Sequence, residues 1–79
     1  MNIAVLGIGY VGLVSGVCLA SMGHKVTGID IDAVKIAGIR KGVPGIFEQG
    51  LEDLLTSELA SGRISFSTEI EEVADADIL

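Results

Sequence analysis

Three glycines in the spacing G-x-G-x-x-G, Gly7, Gly9 and Gly12, constrain the fold of this chain more than any other feature. The apolar run before them, residues 3–6, has the length of a buried strand, and the apolar segment after them, residues 13–22, suits a helix. In such a turn the first glycine permits the tight bend. The second lets a phosphate approach the backbone, and the third lets the helix lie close to the sheet. The spacing therefore predicts a turn that holds the phosphates of a dinucleotide at a helix N-terminus.

A second apolar run follows the predicted helix and ends at Asp30, 18 positions after Gly12. A carboxylate about 20 residues beyond the glycines binds the hydroxyls of the adenosine ribose in dinucleotide-binding folds. The alternative is a glycine-rich turn without a ligand, in a chain that contains 11 glycines. Because strand, turn, helix, strand and acid occur together in the required order, the sequence favours a cofactor site.

A second helix is predicted to begin behind Asp32, which suits the N-cap position, and to end before Gly42. Lys35 falls in the first turn of that helix, five residues after Asp30, where it could reach toward the ribose. The alternative for Lys35 is a surface lysine in solvent.

The complete pattern predicts an α/β fold, a partial Rossmann domain with a doubly wound parallel sheet in the strand order 3-2-1-4. The predicted strands are a central one at 2–6, buried on both faces, then 26–29, an edge strand at 64–67, and a fourth beginning at 78–79. The predicted helices are 10–22, 33–41, 51–59 and a short one through Ala74, which a capping box of Thr68 and Glu71 would start.

The first predicted helix is unusually apolar. One face carries the series Leu13, Gly16, Val17 and Ala20, but Val14 and Cys18 on the other side are apolar as well. We therefore expect a helix that is buried nearly all round, against an element or partner that this chain does not supply, with Cys18 as a packing residue.

The end of the first predicted helix also carries the single histidine. Gly23 is expected to close the helix in a left-handed conformation, and His24 behind it to be solvated or capping. It would lie at the edge opposite to the glycine turn, which argues against a catalytic role.

Charge and composition exclude several classes of function. The formal net charge is −6, and no basic patch or basic helix suggests nucleic acid or a membrane surface as a partner. No apolar run approaches the roughly 18 residues of a membrane span, and the N-terminus lacks the basic region of a signal peptide. One cysteine excludes an intrachain disulfide and leaves the redox compartment open, and the cytoplasm is the default expectation.

The chain ends at Ile78 and Leu79, where a further buried strand would open. A domain boundary should fall in a polar linker, so residues 1–79 are expected to be an incomplete domain, truncated at the start of its fourth strand. An exposed strand edge favours association, and the parent protein is expected to be a homo-oligomer.

These residues resemble the amino-terminal segment of the UDP-glucose/GDP-mannose dehydrogenase family over the whole chain. The stretches that carry the resemblance are residues 7–20, 22–26, 30–32 with Lys35, 62–68 and 74–78. The pair Tyr10-Val11 inside the turn is less common among general dinucleotide binders than the glycines are.

The resemblance implies an NAD-dependent oxidation of a UDP-sugar, in which the C6 alcohol becomes a carboxylate through two hydride transfers and a cysteine-bound thioester. The family's catalytic cysteine, lysine and aspartate belong to later segments, so no catalytic residue is expected here, and Cys18 does not match the nucleophile's motif. The expected cofactor-binding residues are Gly7, Ile8, Gly9, Tyr10, Val11, Gly12, Asp30 and Lys35. The chain departs from the family's pattern at Gln49, where proline is usual, which leaves a site role for Glu48 open.

Two other functions remain open at this point. The chain could belong to a hydroxyacid or acyl-CoA type of dehydrogenase, which shares the same first turn. It could also be a nucleotide-binding module that senses NAD without catalysing a reaction.

Overall fold

The chain contains both strands and helices in a computed structural model that describes residues 1–45 and 49–78. The strands are β1 (Asn2–Leu6), β2 (Lys25–Ile29), β3 (Ile64–Ser67) and β4 (Asp77–Ile78). The helices are α1 (Tyr10–Ser21), α2 (Ala33–Arg40) and α3 (Leu51–Ser61), followed by a 3-10 helix at Ile70–Val73.

The four strands form one parallel sheet in the order β3-β2-β1-β4. This confirms the predicted α/β class, the Rossmann-type strand order and the central position of β1. Leu6 pairs with Ile29, and Ile29 pairs with Ser67, so β1, β2 and β3 end at the same edge of the sheet. In parallel sheets that edge is where ligands bind, because the loops that follow the strands meet there.

The main core lies between one face of the sheet and the three helices. Its most deeply buried side chains are Leu13, Val17, Val26, Ile36, Ile39 and Leu55. On the other face of the sheet, Ala4 and Ile29 pack with Val73 of the 3-10 helix. The prediction that β1 is buried on both faces therefore holds for Ala4 and Val5, whereas Leu6 at its end is 41% exposed.

The first helix has the predicted inner face, and its opposite side is exposed in this chain. Leu13, Gly16, Val17 and Ala20 are buried, as the periodicity indicated. Cys18 is exposed and Val11 is 73% exposed, so this chain does not itself cover that side of the helix. The reason is that α1 packs on the sheet and on α3, which cover one side of it only. A packing role for Cys18 against a further element or partner stays a prediction.

The ends of the helices confirm two predictions and correct a third. The Asp32 side chain caps α2 by accepting a hydrogen bond from the Lys35 amide, and Gly23 follows the end of α1 with a positive φ of +100°. The capping box of Thr68 and Glu71 is wrong, because Glu69 occupies the N-cap of the 3-10 helix. The hydroxyl of Ser67, the residue before Thr68, accepts a hydrogen bond from the Glu69 amide instead. It also donates a hydrogen bond to the Glu72 carboxylate.

Some predictions concern residues outside the described part of the chain. The site role left open for Glu48 and the Leu79 end of the expected fourth strand belong to this group. Among residues 1–45 and 49–78, no helix has the length and apolar character that crossing a membrane requires.

An ion pair joins the buried Glu58 of α3 to the partly exposed Arg63, which directly precedes β3. The Glu58 side chain is only 4% exposed, and its carboxylate accepts from Arg63 Nε at 2.6 Å. This hydrogen bond is the main cause that holds the pKa of Glu58 below its ordinary value, while burial acts in the opposite direction. Because the folded state favours the ionised form of Glu58, the pair stabilises the fold at pH values above the ordinary glutamate pKa.

We therefore predict that the free energy of unfolding falls as the pH drops below the ordinary glutamate pKa of 4.5, through the lower value that Glu58 has in the folded state. Glu58→Gln should be less stable at neutral pH and should lose less on acidification. Urea unfolding between pH 7 and pH 3 measures both effects. Glu52→Gln, which removes the same charge from an exposed position of α3, is the matched control. An equal acid dependence in Glu58→Gln and the unchanged chain would contradict the prediction.

Candidate functional site

The glycine turn lies between the end of β1 and the start of α1. Gly7 has a φ of +85°, which residues other than glycine rarely adopt. Its amide donates a hydrogen bond to the Ile29 carbonyl of β2 at 2.7 Å. Gly9 is the N-cap of α1, and its carbonyl accepts the first helical hydrogen bond from the Leu13 amide at 2.9 Å. The turn is therefore fixed to the sheet at one end and to the helix at the other.

The second and third glycines are required for different reasons. A Cβ built on Gly9 would meet no protein atom within 4 Å, so the protein itself does not demand glycine there. A Cβ on Gly12 would lie 2.2 Å from the Gly7 carbonyl oxygen. Gly12 was predicted to allow close packing of the helix on the sheet. Its nearest constraint is instead the turn itself, with Val5 Cγ1 next at 3.4 Å.

The N-terminus of α1 is arranged to receive an anion. No side chain caps it at Gly9, and its first turn contains no acidic residue. The first amides of an α-helix have no carbonyl acceptor within the helix, and the helix dipole places partial positive charge beside them. A cleft of about 710 Å³ opens at this point, lined by Val5, Leu6, Gly7, Gly9, Tyr10, Val11, Gly12 and Ser15. The open backbone at Gly9 and the absence of an acidic residue from the first turn of α1 fit a pyrophosphate.

Asp30 follows β2 and lies beside this turn. Its Oδ2 atom accepts a hydrogen bond from the Ile8 amide at 2.9 Å, and its Oδ1 atom accepts from the Asp32 amide at 2.9 Å. The Lys35 ammonium lies 3.4 Å from Oδ2. The structure thus brings Asp30, Lys35 and the glycine turn together, as the sequence predicted.

The ionisation of Asp30 follows from these contacts. The backbone amide of Asp32 and then that of Ile8 hold the pKa of the Asp30 carboxyl below its ordinary value, and Lys35 adds to this effect. Partial burial acts against it, since the side chain is 13% exposed. At neutral pH the group is a carboxylate, which can accept hydrogen bonds from hydroxyls.

A second cleft, of about 360 Å³, lies on the other side of Gly7 beside Asp30. It is mainly apolar, and its lining residues are Leu6, Gly7, Ile29, Asp30, Ile31, Thr68 and Ile70. Ile31 is 94% exposed, so its side chain is available to a ligand rather than used in the core. Leu6 and Gly7 line both clefts, which places the glycine turn between them. The apolar cleft, the Asp30 carboxylate and the anion site at α1 follow one another in space. This arrangement suits the base, the ribose and the phosphates of a nucleoside diphosphate.

Sequence reasoning missed several residues of this site. A Cβ on Gly28 of β2 would lie 2.7 Å from both Ile8 Cδ1 and Phe66 Cδ1, so glycine here lets the Ile8 side chain settle under the turn. A glycine inside a strand pattern is the signal for such a close approach. Thr68 and Ile70 line the second cleft because they follow the carboxyl end of β3, which the strand order could have indicated.

Neither the single histidine nor a metal-binding cluster forms part of this site in the described residues. His24 follows α1 at the opposite edge of the sheet from the glycine turn, as expected, and its amide donates to the Leu19 carbonyl. Within the part of the chain that the structure describes, no group of three or more His, Cys, Asp or Glu side chains could hold a metal ion.

Comparison with known proteins places the site in a family. The model of the "UDP-glucose/GDP-mannose dehydrogenase family, NAD binding domain" matches residues 1–79. The UDP-glucose 6-dehydrogenase YwqF of Bacillus subtilis is 56% identical over 80 residues, and that of Rhizobium meliloti is 48% identical over 80 residues. Both alignments cover 100% of this chain and 18% of the relative, so the chain spans less than a fifth of these proteins.

A solved structure shows the same fold. A crystal structure of a ternary complex of GDP-mannose dehydrogenase from Pseudomonas aeruginosa superposes with a TM-score of 0.92 at 41% identity. The superposition covers 100% of this chain and 19% of that one.

The open space at Gly9 leads to a test of the anion site. Gly9 has φ −86° and ψ −163°, an extended conformation that any residue adopts, so Gly9→Ala should fold normally. Its new methyl group would occupy the space that a pyrophosphate needs, and NAD affinity should fall at least tenfold. Gly12→Ala should instead destabilise the fold by about 1–3 kcal/mol, because its methyl group meets the Gly7 carbonyl.

NAD titration and thermal unfolding of the complete protein separate the two effects. Gly16→Ala is the control, because its Cβ would make ordinary contacts of 3.6 Å or more. If Gly9→Ala bound NAD with unchanged affinity, the turn would not hold a phosphate.

Proposed function

The chain belongs to the UDP-glucose/GDP-mannose dehydrogenase family, as its NAD-binding domain, and from this premise we propose that it supplies the cofactor site of a nucleotide-sugar 6-dehydrogenase. The observation that carries the proposal is the position of Asp30. Its ionised carboxylate lies at the carboxyl end of β2 and is hydrogen-bonded to the glycine turn. A carboxylate there can accept hydrogen bonds from both hydroxyls of an unmodified adenosine ribose. It lies next to the helix N-terminus that receives the phosphates.

The two clefts give the proposed site its direction. The adenosine lies in the apolar cleft beside Asp30 and Ile31, the pyrophosphate crosses the turn at Gly9, and the nicotinamide half points into the cleft beside Tyr10. NAD supplies the hydride acceptor when it is bound. The residues of this chain bind and orient it: Asp30 and Lys35 at the ribose, and the amides at the start of α1 at the phosphates.

We propose UDP-glucose as the first candidate substrate of the parent enzyme. The proteins named for UDP-glucose are 56% and 48% identical to this chain, whereas the superposed structure, at 41%, is named for GDP-mannose. The catalytic residues are proposed to lie outside this chain. Turnover of UDP-glucose and of GDP-mannose by the complete protein decides between the two sugars.

Two further expectations belong to this proposal, namely a homo-oligomeric parent enzyme and a cytoplasmic location. The family match favours a nucleotide-sugar enzyme over the hydroxyacid and acyl-CoA type of dehydrogenase. A module that senses NAD without chemistry is the outcome if the complete protein binds NAD but oxidises no nucleotide sugar.

The position of Asp30 predicts a preference for NAD over NADP. The 2′-phosphate of NADP would meet a carboxylate of like charge, so the unchanged enzyme should use NAD. Asp30→Ala should weaken NAD binding about tenfold to a hundredfold, the effect of losing hydrogen bonds to a charged group. The substitution should also narrow the preference for NAD over NADP. Lys35 would be left beside the ribose without its acidic partner, where its positive charge favours the 2′-phosphate.

Steady-state kinetics with both cofactors measures the change in the complete protein. Glu52→Ala, which removes a carboxylate from the exposed side of α3, is the control for lost charge. An unchanged enzyme that used NADP better than NAD would overturn the assignment of Asp30.

The 79-residue chain alone is predicted to be catalytically inactive. Residues 1–45 and 49–78 include none placed to take the proton from a sugar hydroxyl or to hold a thioester, so the chain should not form NADH when UDP-glucose and NAD are added. It should also associate with itself, because β4 at the sheet edge is two residues long and Val11 and Met22 of the α1 region are exposed.

Absorbance at 340 nm and sedimentation of the purified chain test these two statements. NADH formation would contradict the placement of the chemistry outside this chain. A monomer with a sharp two-state unfolding transition would contradict the expected association and leave the chemical argument intact.

A further inference from the structure

Each oxygen of the Asp30 carboxylate accepts a hydrogen bond from a backbone amide. Oδ2 accepts from the Ile8 amide inside the glycine turn, and Oδ1 accepts from the Asp32 amide at the start of α2. These two amides belong to different loops, which follow β1 and β2 respectively. One side chain therefore connects the loop that would hold the pyrophosphate to the loop that would border the ribose.

The glycine turn has few other attachments to the sheet. The Gly7 amide donates to the Ile29 carbonyl, and the Ile8 side chain, 3% exposed, packs into the space that Gly28 leaves open. Gly9 follows with no side chain to anchor it. Without the bond from Ile8 to Asp30, the residue next to Gly9 would lose its polar tether to the sheet.

We propose that Asp30 is a positioning residue for the glycine turn, which it holds in the phosphate-binding conformation before any cofactor arrives. This role is additional to its contact with the ribose, and it rests on the proposed function for its effect on binding. It makes the affinity for the phosphate part of the ligand depend on a side chain that does not touch the phosphates.

A carboxylate is needed for this role because two amides must be satisfied at once. A carboxylate has two acceptor oxygens, whereas an asparagine side chain has one acceptor oxygen and an NH₂ group that can only donate. Asp30→Asn keeps the shape of the residue but must release either the Ile8 amide or the Asp32 amide. This variant therefore tests the arrangement without removing the side chain from the site.

Hydrogen–deuterium exchange resolved to single amides, on the complete protein without ligand, measures the tether directly. Asp30→Ala should accelerate exchange of the Ile8 amide at least tenfold, and Asp30→Asn should accelerate exchange of Ile8 or of Asp32. In the control variant Asp32→Ala, the Lys35 amide loses its cap while the Ile8 amide stays protected. Unchanged protection of Ile8 in Asp30→Ala would overturn the proposal, and so would protection of both amides in Asp30→Asn.

Binding of ADP and of adenosine then separates positioning from ribose contact. If Asp30 touched the ribose alone, Asp30→Ala would weaken both ligands by the same factor. If it also positions the turn, ADP should lose at least threefold more affinity than adenosine, because ADP alone uses the turn. Equal losses overturn the proposal. If the unchanged protein bound neither ligand, the proposed function would fail, and the exchange of the Ile8 amide would decide the positioning role by itself.

Discussion

Hydrogen bonds that join the carboxyl ends of three parallel strands support everything else at this site. The Gly7 amide binds the end of β2, the Asp30 amide binds the Ser67 carbonyl of β3, and the Asp30 carboxylate binds back to Ile8. Each bond crosses from the loop after one strand to its neighbour. Because the strands are parallel, the loops that follow them converge at one edge, and these bonds hold the loops after β1 and β2 to each other and to the end of β3.

The glycines of this surface have distinct physical roles. Gly7 supplies a positive φ, Gly12 avoids a clash with the Gly7 carbonyl, and Gly28 leaves room for the Ile8 side chain. Gly9 alone among these four satisfies no constraint of the protein, since a Cβ there would meet nothing within 4 Å. The one glycine of the motif that the fold does not require is the one at which a phosphate needs access to the backbone, which is the strongest internal argument for a ligand at the turn.

The family match and the geometry concern the same part of the molecule. The match covers residues 1–79, while the chain spans less than a fifth of the relatives. Proteins named for UDP-glucose and for GDP-mannose share this segment with the chain. What they have in common here is the cofactor site, and the choice of sugar is proposed to be made by residues outside this segment.

The sequence by itself determined the elements that depend on local pattern. The G-x-G-x-x-G spacing, the apolar runs and the position of Asp30 predicted the turn, the helices, the strand order and the carboxylate beside the turn. The cap at Asp32 was predictable as well, because a cap depends on a few neighbouring residues.

Only the tertiary structure decided the features that depend on distant neighbours. The sequence shows that α1 is apolar on two sides. It does not show that α3 and the sheet cover only one of these sides and leave Cys18 exposed. The sequence placed Asp30 near a ribose, yet its bond to Ile8, 22 positions away, exists because β1 and β2 pair in parallel and end together. Gly28 is needed for the same reason, since its neighbours Ile8 and Phe66 come from other parts of the chain. Contacts of this kind depend on which atoms of neighbouring strands and loops face one another, and the pattern that predicts the strand order does not specify these.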